Sequence, residues 1–310
     1  MSNVYKGDFE YDRKSGTGTF SSVSGEVYHG DWREDRPNGF GQLMYTNKDR
    51  YEGEWENGLR HGKGIHYYSN GDCFDGEWNF GVQAGAGKYT TTTGFIYTGS
   101  WSSGKIHGAG VLIAPNGRKY SGEFKNGLKH GEGFMDYNNG ESYLGQWSMD
   151  KPNGFGIFTS AVEGTYVGTF VNGMREGTGK FTYHNGDYYE GGFKKGVYHD
   201  KGSLIHSSGG LERYDGKWEG GKFCGKGVCN VRGLGKLECE FKDDKPHGTG
   251  TFSSTKGTFF DGKWIEGRRE GKATICTSTE KYSSLCAKGM MGKREASFLV
   301  VPDIPTLHLI

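Results

Sequence analysis

Tyr51-Glu-Gly53-Glu-Trp55-Glu-Asn-Gly58-Leu-Arg-His61-Gly62-Lys-Gly64 is the stretch that decides the fold. In an extended chain alternate side chains share a face, so Tyr51, Gly53 and Trp55 point one way. Asn57-Gly58 follows, and Asn-Gly is the strongest short hairpin signal because both residues accept positive φ. Gly62 and Gly64 then alternate along a returning strand and bring His66 to the same face as themselves. Period-two alternation in both halves is a strand signal, and no stretch of the chain carries a competing 3.6 period. The segment reads as one β-hairpin.

Outward from it, aromatic-x-Gly-x-aromatic recurs at Tyr5-Gly7-Phe9, Tyr28-Gly30-Trp32, Phe74-Gly76-Trp78 and Tyr97-Gly99-Trp101, in steps of 23 residues. The series continues through Tyr120, Tyr143, Tyr166 and Tyr189, slips by two residues to Tyr214, and resumes as Leu237-Cys239-Phe241 and Phe260-Gly262-Trp264. Eleven residues after each leading aromatic comes Gly-x-Gly, as at Gly16-x-Gly18 and Gly131-x-Gly133, with Asp200-x-Gly202 and Gly271-x-Ala273 as departures. Self-similarity at a fixed period identifies a repeat architecture. Twelve units occupy residues 1–280; a degenerate thirteenth, with Tyr282, Ser284 and Cys286 in the aromatic-Gly-aromatic slots, and an apolar tail make up 281–310.

The composition agrees. The chain has 57 glycines and only 33% hydrophobic residues, yet 15% are aromatic, and that ring area must be buried somewhere. We expect an elongated, single-layer antiparallel sheet in which the glycines leave room for neighbouring rings. An isolated hairpin is marginal, so each unit needs its neighbour, as in other solenoids. Twenty-four strands at about 4.8 Å each would make a ribbon on the order of 110 Å long.

The formal charge of +1 gives no global field that would point to nucleic acid. Six scattered cysteines make no disulfide framework, and the N-terminus has no signal-peptide pattern, so we expect a cytoplasmic protein with reduced thiols. No catalytic constellation, cofactor motif or metal-ligand spacing stands out. Cys224, Cys229 and Cys239 lack zinc spacing, and Cys229 and Cys239 sit in repeat columns as core fillers. His61, His107, His130 and His247 precede the Gly-x-Gly pair, which indicates ring packing or a turn hydrogen bond. Gly-x-Gly here feeds no helix and so is no phosphate loop.

The Tyr51–Gly64 stretch resembles the MORN (membrane occupation and recognition nexus) repeat almost letter for letter, over about nine-tenths of the chain. The resemblance implies a non-enzymatic scaffold or adaptor. In that family stand-alone arrays occur in radial spokes, basal bodies and protist cytoskeletons, which implies a microtubule-based assembly, foremost the ciliary or flagellar axoneme, with other cytoskeletal or axonemal proteins as partners. A role as allosteric partner of an enzyme on another chain is a further possibility.

Two features are candidates for binding. Most hairpin turns carry basic residues, and Arg36, Arg60, Lys105, Lys129, Lys151, Arg175, Lys222, Lys245, Arg268 and Arg269 would form a cationic row along one edge. Glu52, Glu54, Asp75, Glu77, Glu238 and Glu240 mark the first strands with the opposite sign. Such a row suits acidic tubulin tails, an acidic partner or anionic lipid headgroups; the lipid case makes the alternative function a peripheral membrane tether. Against this stands the plain reading that solvated turns are simply charged. The second feature is the tail, with Phe298, Leu299, Val300, Val301, Ile304, Leu307, Leu309 and Ile310, which would cap the sheet edge or serve docking and homodimerisation.

Overall fold

The computed structural model describes residues 2–276, 281–287 and 290–291, and among them every regular element is a β-strand. The third repeat pairs Arg50–Glu56 with Leu59–Tyr67 in antiparallel register, and Leu59–Tyr67 then pairs with Cys73–Asn79 of the fourth. The same two pairings alternate along the chain, so the fold is the all-β antiparallel sheet of hairpin repeats that the alternation predicts. The chain divides within the seventh repeat into two compact units, Met1–Lys151 and Pro152–Ile310. Beyond the twelfth repeat, Lys281–Ala287 pairs with Arg268–Cys276. The tail residues Phe298, Leu299, Val300, Val301, Ile304, Leu307, Leu309 and Ile310 lie outside the described residues.

Register puts the glycines in rows. In the first unit Gly30 lies opposite Gly41, Gly41 opposite Gly53, Gly53 opposite Gly64 and Gly64 opposite Gly76. In the second, Gly168, Gly179, Gly191 and Gly202 repeat the pattern. Each leading tyrosine lays its ring across this row. A Cβ on Gly64 would stand 2.2 Å from the Tyr51 hydroxyl and 2.5 Å from its Cζ, closer than any real side chain tolerates. The buried phenol is not left polar and unpaired: Tyr51 donates to the Glu54 carbonyl at 2.9 Å, and Tyr28, Tyr120 and Tyr189 each donate to the carbonyl three residues on.

The second aromatic of each unit ties the repeat to its predecessor. Trp78 packs edge-on against Phe74 of its own repeat at 5.3 Å and against Tyr51 of the previous one at 5.4 Å. Its indole N–H donates to the Gly64 carbonyl at 3.0 Å, as Trp55 does to Gly41 and Trp32 to Gly18. T-shaped pairs add about 1 kcal/mol each beyond burial, so the ladder couples neighbours as well as filling the layer. The eleventh repeat replaces the tyrosine by Leu237, and there the glycine row accepts Cys239, opposite Gly250. Removing the ring makes room for the side chain.

The far ends of the hairpins are clipped together by turn carboxylates. Asp187 accepts from the Ser207 N–H at 2.7 Å, the Ser207 hydroxyl at 2.8 Å and His206 Nδ1 at 2.6 Å, one repeat further on. Asp49 and Asp72 accept from the N–H of Ser69 and Thr92 in the same way. Burial pushes the Asp187 carboxyl up, but the hydrogen bonds from Ser207, His206 and Asn185 outweigh it and hold the group at about 2, below its ordinary 3.8. A carboxylate whose folded pKa is depressed contributes its stability above the unfolded value and loses it as pH falls towards the folded one.

Two outcomes follow from these contacts. Gly64→Ala should cost about 2–3 kcal/mol in denaturant unfolding, and a Tyr51→Leu background should relieve it by at least about 1 kcal/mol in a double-mutant cycle. Asp187→Asn should destabilise by about 1–3 kcal/mol at neutral pH, and its difference from wild type should narrow as pH is lowered from 4 towards 2.

Candidate interaction edge at the hairpin turns

The two central residues of each described hairpin turn have positive φ, 51° and 84° at Asn57-Gly58 and 51° and 86° at Asn172-Gly173. These are the values of the turn whose twist matches the flanking strands. The geometry also holds Phe80 at 43° and Lys195 at 50°, residues that do not choose it on their own. Successive turns are joined by backbone bonds: the Gly58 N–H donates to the Pro37 carbonyl at 2.8 Å, and the Gly81 N–H to the Arg60 carbonyl at 2.7 Å. The turns therefore stack as an ordered edge within each unit.

Strand alternation resumes at the first residue after the turn and divides the ten cations between two faces. Arg36, Lys105, Lys151, Lys222, Lys245 and Arg268 occupy that first place and are exposed. Arg60, Lys129, Arg175 and Arg269 occupy the second and fold over the aromatic layer. The Arg60 guanidinium lies 4.1 Å from the Trp78 ring, donates to the Gly81 carbonyl at 2.8 Å and meets His66 Nδ1 at 3.0 Å. Lys129 Nζ sits 5.0 Å from the Trp147 ring; burial lowers its pKa, against the opposing pull of Asp150. Arg175 lies 5.2 Å from Phe181, and Arg269 is buried 5.5 Å from Phe260. These four hold the hydrophobic layer closed through packing as much as charge.

Of the exposed six, Lys222 pairs with Asp243 at 3.3 Å, whereas Arg36, Lys105, Lys151, Lys245 and Arg268 form no ion pair among the described residues. The same edge exposes Leu59, Val82, Leu128, Met174 and Val197 at the equivalent first place. The edge thus mixes cations with aliphatic side chains.

The acids of the first strands have internal work. Glu54 accepts from the Lys63 N–H at 3.1 Å, and Asp31 from the Phe40 N–H at 2.9 Å, where the returning strand bulges at a positive-φ glycine. Arg50 pairs with Glu52 at 3.6 Å, and Lys236 pairs with Glu238. His61 packs 4.7 Å from the Phe80 ring and accepts from the Phe80 N–H at 3.5 Å, the turn role expected of it. Cys229 and Cys239 are buried, and burial pushes the Cys239 thiol up to about 12.

A groove of about 880 Å³ lies over the aromatic layer of the second unit, lined by Arg175, Phe181, Tyr183, Tyr198 and Lys222. Tyr198 takes the second place after its turn and stacks on Tyr189 at 3.8 Å, its hydroxyl bonded to that of Tyr183. Nothing in the aromatic-Gly-aromatic signature marks it; the signal is an aromatic residue in a column held mostly by Arg, Lys or Pro, a place that Phe223 also takes in the next repeat, stacked on Tyr214 at 3.7 Å.

The model of the MORN repeat matches residues 5–27, 28–50, 51–73, 74–95, 97–117, 120–142, 143–164, 166–188, 189–211, 214–230, 240–259 and 260–276. No curated protein matches the chain. Among solved structures it is similar to the TCP domain of Drosophila melanogaster SAS-4 in complex with a proline-rich motif of Ana2, at 15% identity, covering 56% of this chain and 82% of that one with a TM-score of 0.28. It is also similar to the TCP10 domain of Danio rerio CPAP in complex with a STIL peptide, at 9% identity, covering 91% and 97% with a TM-score of 0.16. A further match is Staphylococcus aureus virginiamycin B lyase, at 10% identity, covering 91% and 98% with a TM-score of 0.14. Likenesses this slight carry nothing about function.

The division of the cations has a measurable consequence. Arg60→Ala should lower stability by about 1–2 kcal/mol through lost packing, while Lys105→Ala should stay within about 0.5 kcal/mol of wild type, both read from denaturant midpoints.

Proposed function

Since the chain belongs to the MORN-repeat family, whose arrays are repeat scaffolds and adaptors, we propose that it is a non-enzymatic scaffold of a microtubule-based assembly, foremost the ciliary or flagellar axoneme with a radial-spoke-like role. The observation that carries the scaffold reading is how completely the signature residues are consumed. Tyrosine, glycine and tryptophan are spent on packing one repeat against the next, and Asp8, Asp31 and Glu54 on closing the bulge of their own hairpins. What remains for partners is a repeating margin, in which Arg36, Lys105, Lys151, Lys245 and Arg268 recur at one place in the hairpin. A periodic margin suits a periodic or extended protein partner, such as acidic tubulin tails. The axonemal location is drawn from the stand-alone arrays that this chain resembles.

One observation favours a second reading. Leu59, Val82, Leu128, Met174 and Val197 are interspersed among the cations, and an amphipathic margin of this kind also suits an anionic lipid surface, at about 1 kcal/mol per basic residue.

Detergent extraction of cells carrying a tagged chain separates the two. Retention with the microtubule cytoskeleton at a salt concentration that screens exposed charges is the result expected of the scaffold. Release with solubilised membrane, and loss of membrane binding on changing Arg36, Lys105 and Lys151 to Glu, would replace it with the tether.

A further inference from the structure

The third residue after the leading aromatic follows a rule that three repeats break. It is Asp8, Asp31, Glu54, Glu77, Glu123 or Glu240 in six repeats, and Ser100, Gln146 or Thr169 in three more. Its side chain faces the bulge of the returning strand, where Asp8, Asp31 and Glu54 accept from the N–H of Thr17, Phe40 and Lys63. In the twelfth repeat the place is taken by Lys263, and in the adjacent ninth and tenth by Gly192 and Lys217. The equivalent bulge residues are Lys201 and Lys226, and among the described residues no side chain accepts from their N–H groups. The space is open as well: a Cβ on Gly225 would find Lys217 no nearer than 3.8 Å, where the matching Gly62 has the Glu54 carboxylate at 2.4 Å.

Charge gathers where the acceptors are missing. Lys201 and Lys217 lie directly opposite each other across the strand pair, a like-charge arrangement that is destabilising by itself. Lys226 belongs to the next bulge on the same face, and all three are exposed. They line a trough of about 920 Å³ together with Thr178, Ser203 and Gly216. Of the acids nearby, Asp215 is tied to Arg213 by two bonds of 2.6 and 2.8 Å, Glu240 lies across from Lys226, and the Asp200 carboxylate is 76% exposed.

We propose that this trough is a binding site for a phosphoryl group, held by the ammonium groups of Lys201, Lys217 and Lys226 and by the bulge N–H group of Lys226. The anion takes the place that the Asp8, Asp31 and Glu54 carboxylates hold at their own bulges, and it neutralises the Lys201–Lys217 repulsion. An N–H group beside a left-handed residue is part of the concavity that anions occupy elsewhere. Here the left-handed residue is Gly225 at φ 57°. The flanking rows of the same face carry Glu190, Glu238 and Asp261. A broad anionic surface would meet those acids, whereas a single phosphoryl group is small enough to sit among the lysines, beside Asp200 and Asp215 in the trough's lining.

The test uses the full chain and inorganic phosphate, with chloride at matched ionic strength as the reference. Phosphate should raise the melting temperature and shift the backbone amide resonances of Gly225 and Lys226 selectively. Lys217→Glu restores the carboxylate of the other repeats; it should melt about 2 °C higher without phosphate and lose the phosphate response. Lys226→Thr, which installs the residue found at Thr178 and Thr249, should weaken phosphate about tenfold while leaving the fold intact. O-phosphoserine shifting the same amides would identify a phosphorylated side chain as the ligand's source, and a response to inorganic phosphate alone would identify the free ion. Absence of a phosphate-specific response in the wild type, or an undiminished one in Lys217→Glu, overturns the site.

Discussion

A ring lying flat across two facing glycines is the contact on which the rest of this structure depends. With Gly53 and Gly64 directly opposite, the backbone surface is bare over an area that fits the Tyr51 ring, and any side chain at Gly64 would occupy the same volume. A single-layer sheet has no second sheet to pack on, so it must bury its aromatic side chains against its own backbone. Glycine at nearly every crossing is what makes that burial available. The entropy lost in ordering glycine is offset by fully burying a large side chain whose hydroxyl still finds a carbonyl.

From that contact follows the one-dimensional character of each unit. A repeat contributes the trough and the tyrosine, and the next repeat contributes the tryptophan that closes over it and bonds the glycine carbonyl. Neither half is complete alone, so stability accrues at the junctions between repeats. The eleventh repeat obeys the same volume rule from the other side, with leucine for the ring and cysteine for the glycine. Because the signature residues are used internally, functional differences can arise only at places the signature leaves open: the first residue after each turn and the outward-facing positions of the strands.

The fold was legible because strand alternation, turn chemistry and repeat period all agree in every unit. Even turns without Asn-Gly could be placed, since the period assigns Phe80-Gly81 and Lys195-Gly196 the positive φ that their own residues would not announce. The edge was legible only in part. A turn rich in Lys and Arg looks like one cationic row in sequence, but a one-residue step reverses the face, and Arg60, Lys129, Arg175 and Arg269 are turned onto the rings. The acid three residues after the leading aromatic looks like surface charge in the sequence because the bulge that brings it to a backbone N–H is not visible in alternation alone.

The indole N–H protons give the most direct test of the ring-on-glycine coupling. Trp55 and Trp78 donate to glycine carbonyls of the preceding repeat, whereas the buried Trp101 Nε1 has no hydrogen-bond partner among the described residues. Hydrogen exchange measured at all three should show Trp55 and Trp78 protected to the same degree as the backbone amides of the glycine row, opening only when the junction between repeats opens, with Trp101 exchanging faster. Exchange of Trp55 and Trp78 as fast as Trp101, while the backbone amides around them stay protected, would show that the rings do not lock one repeat to the next.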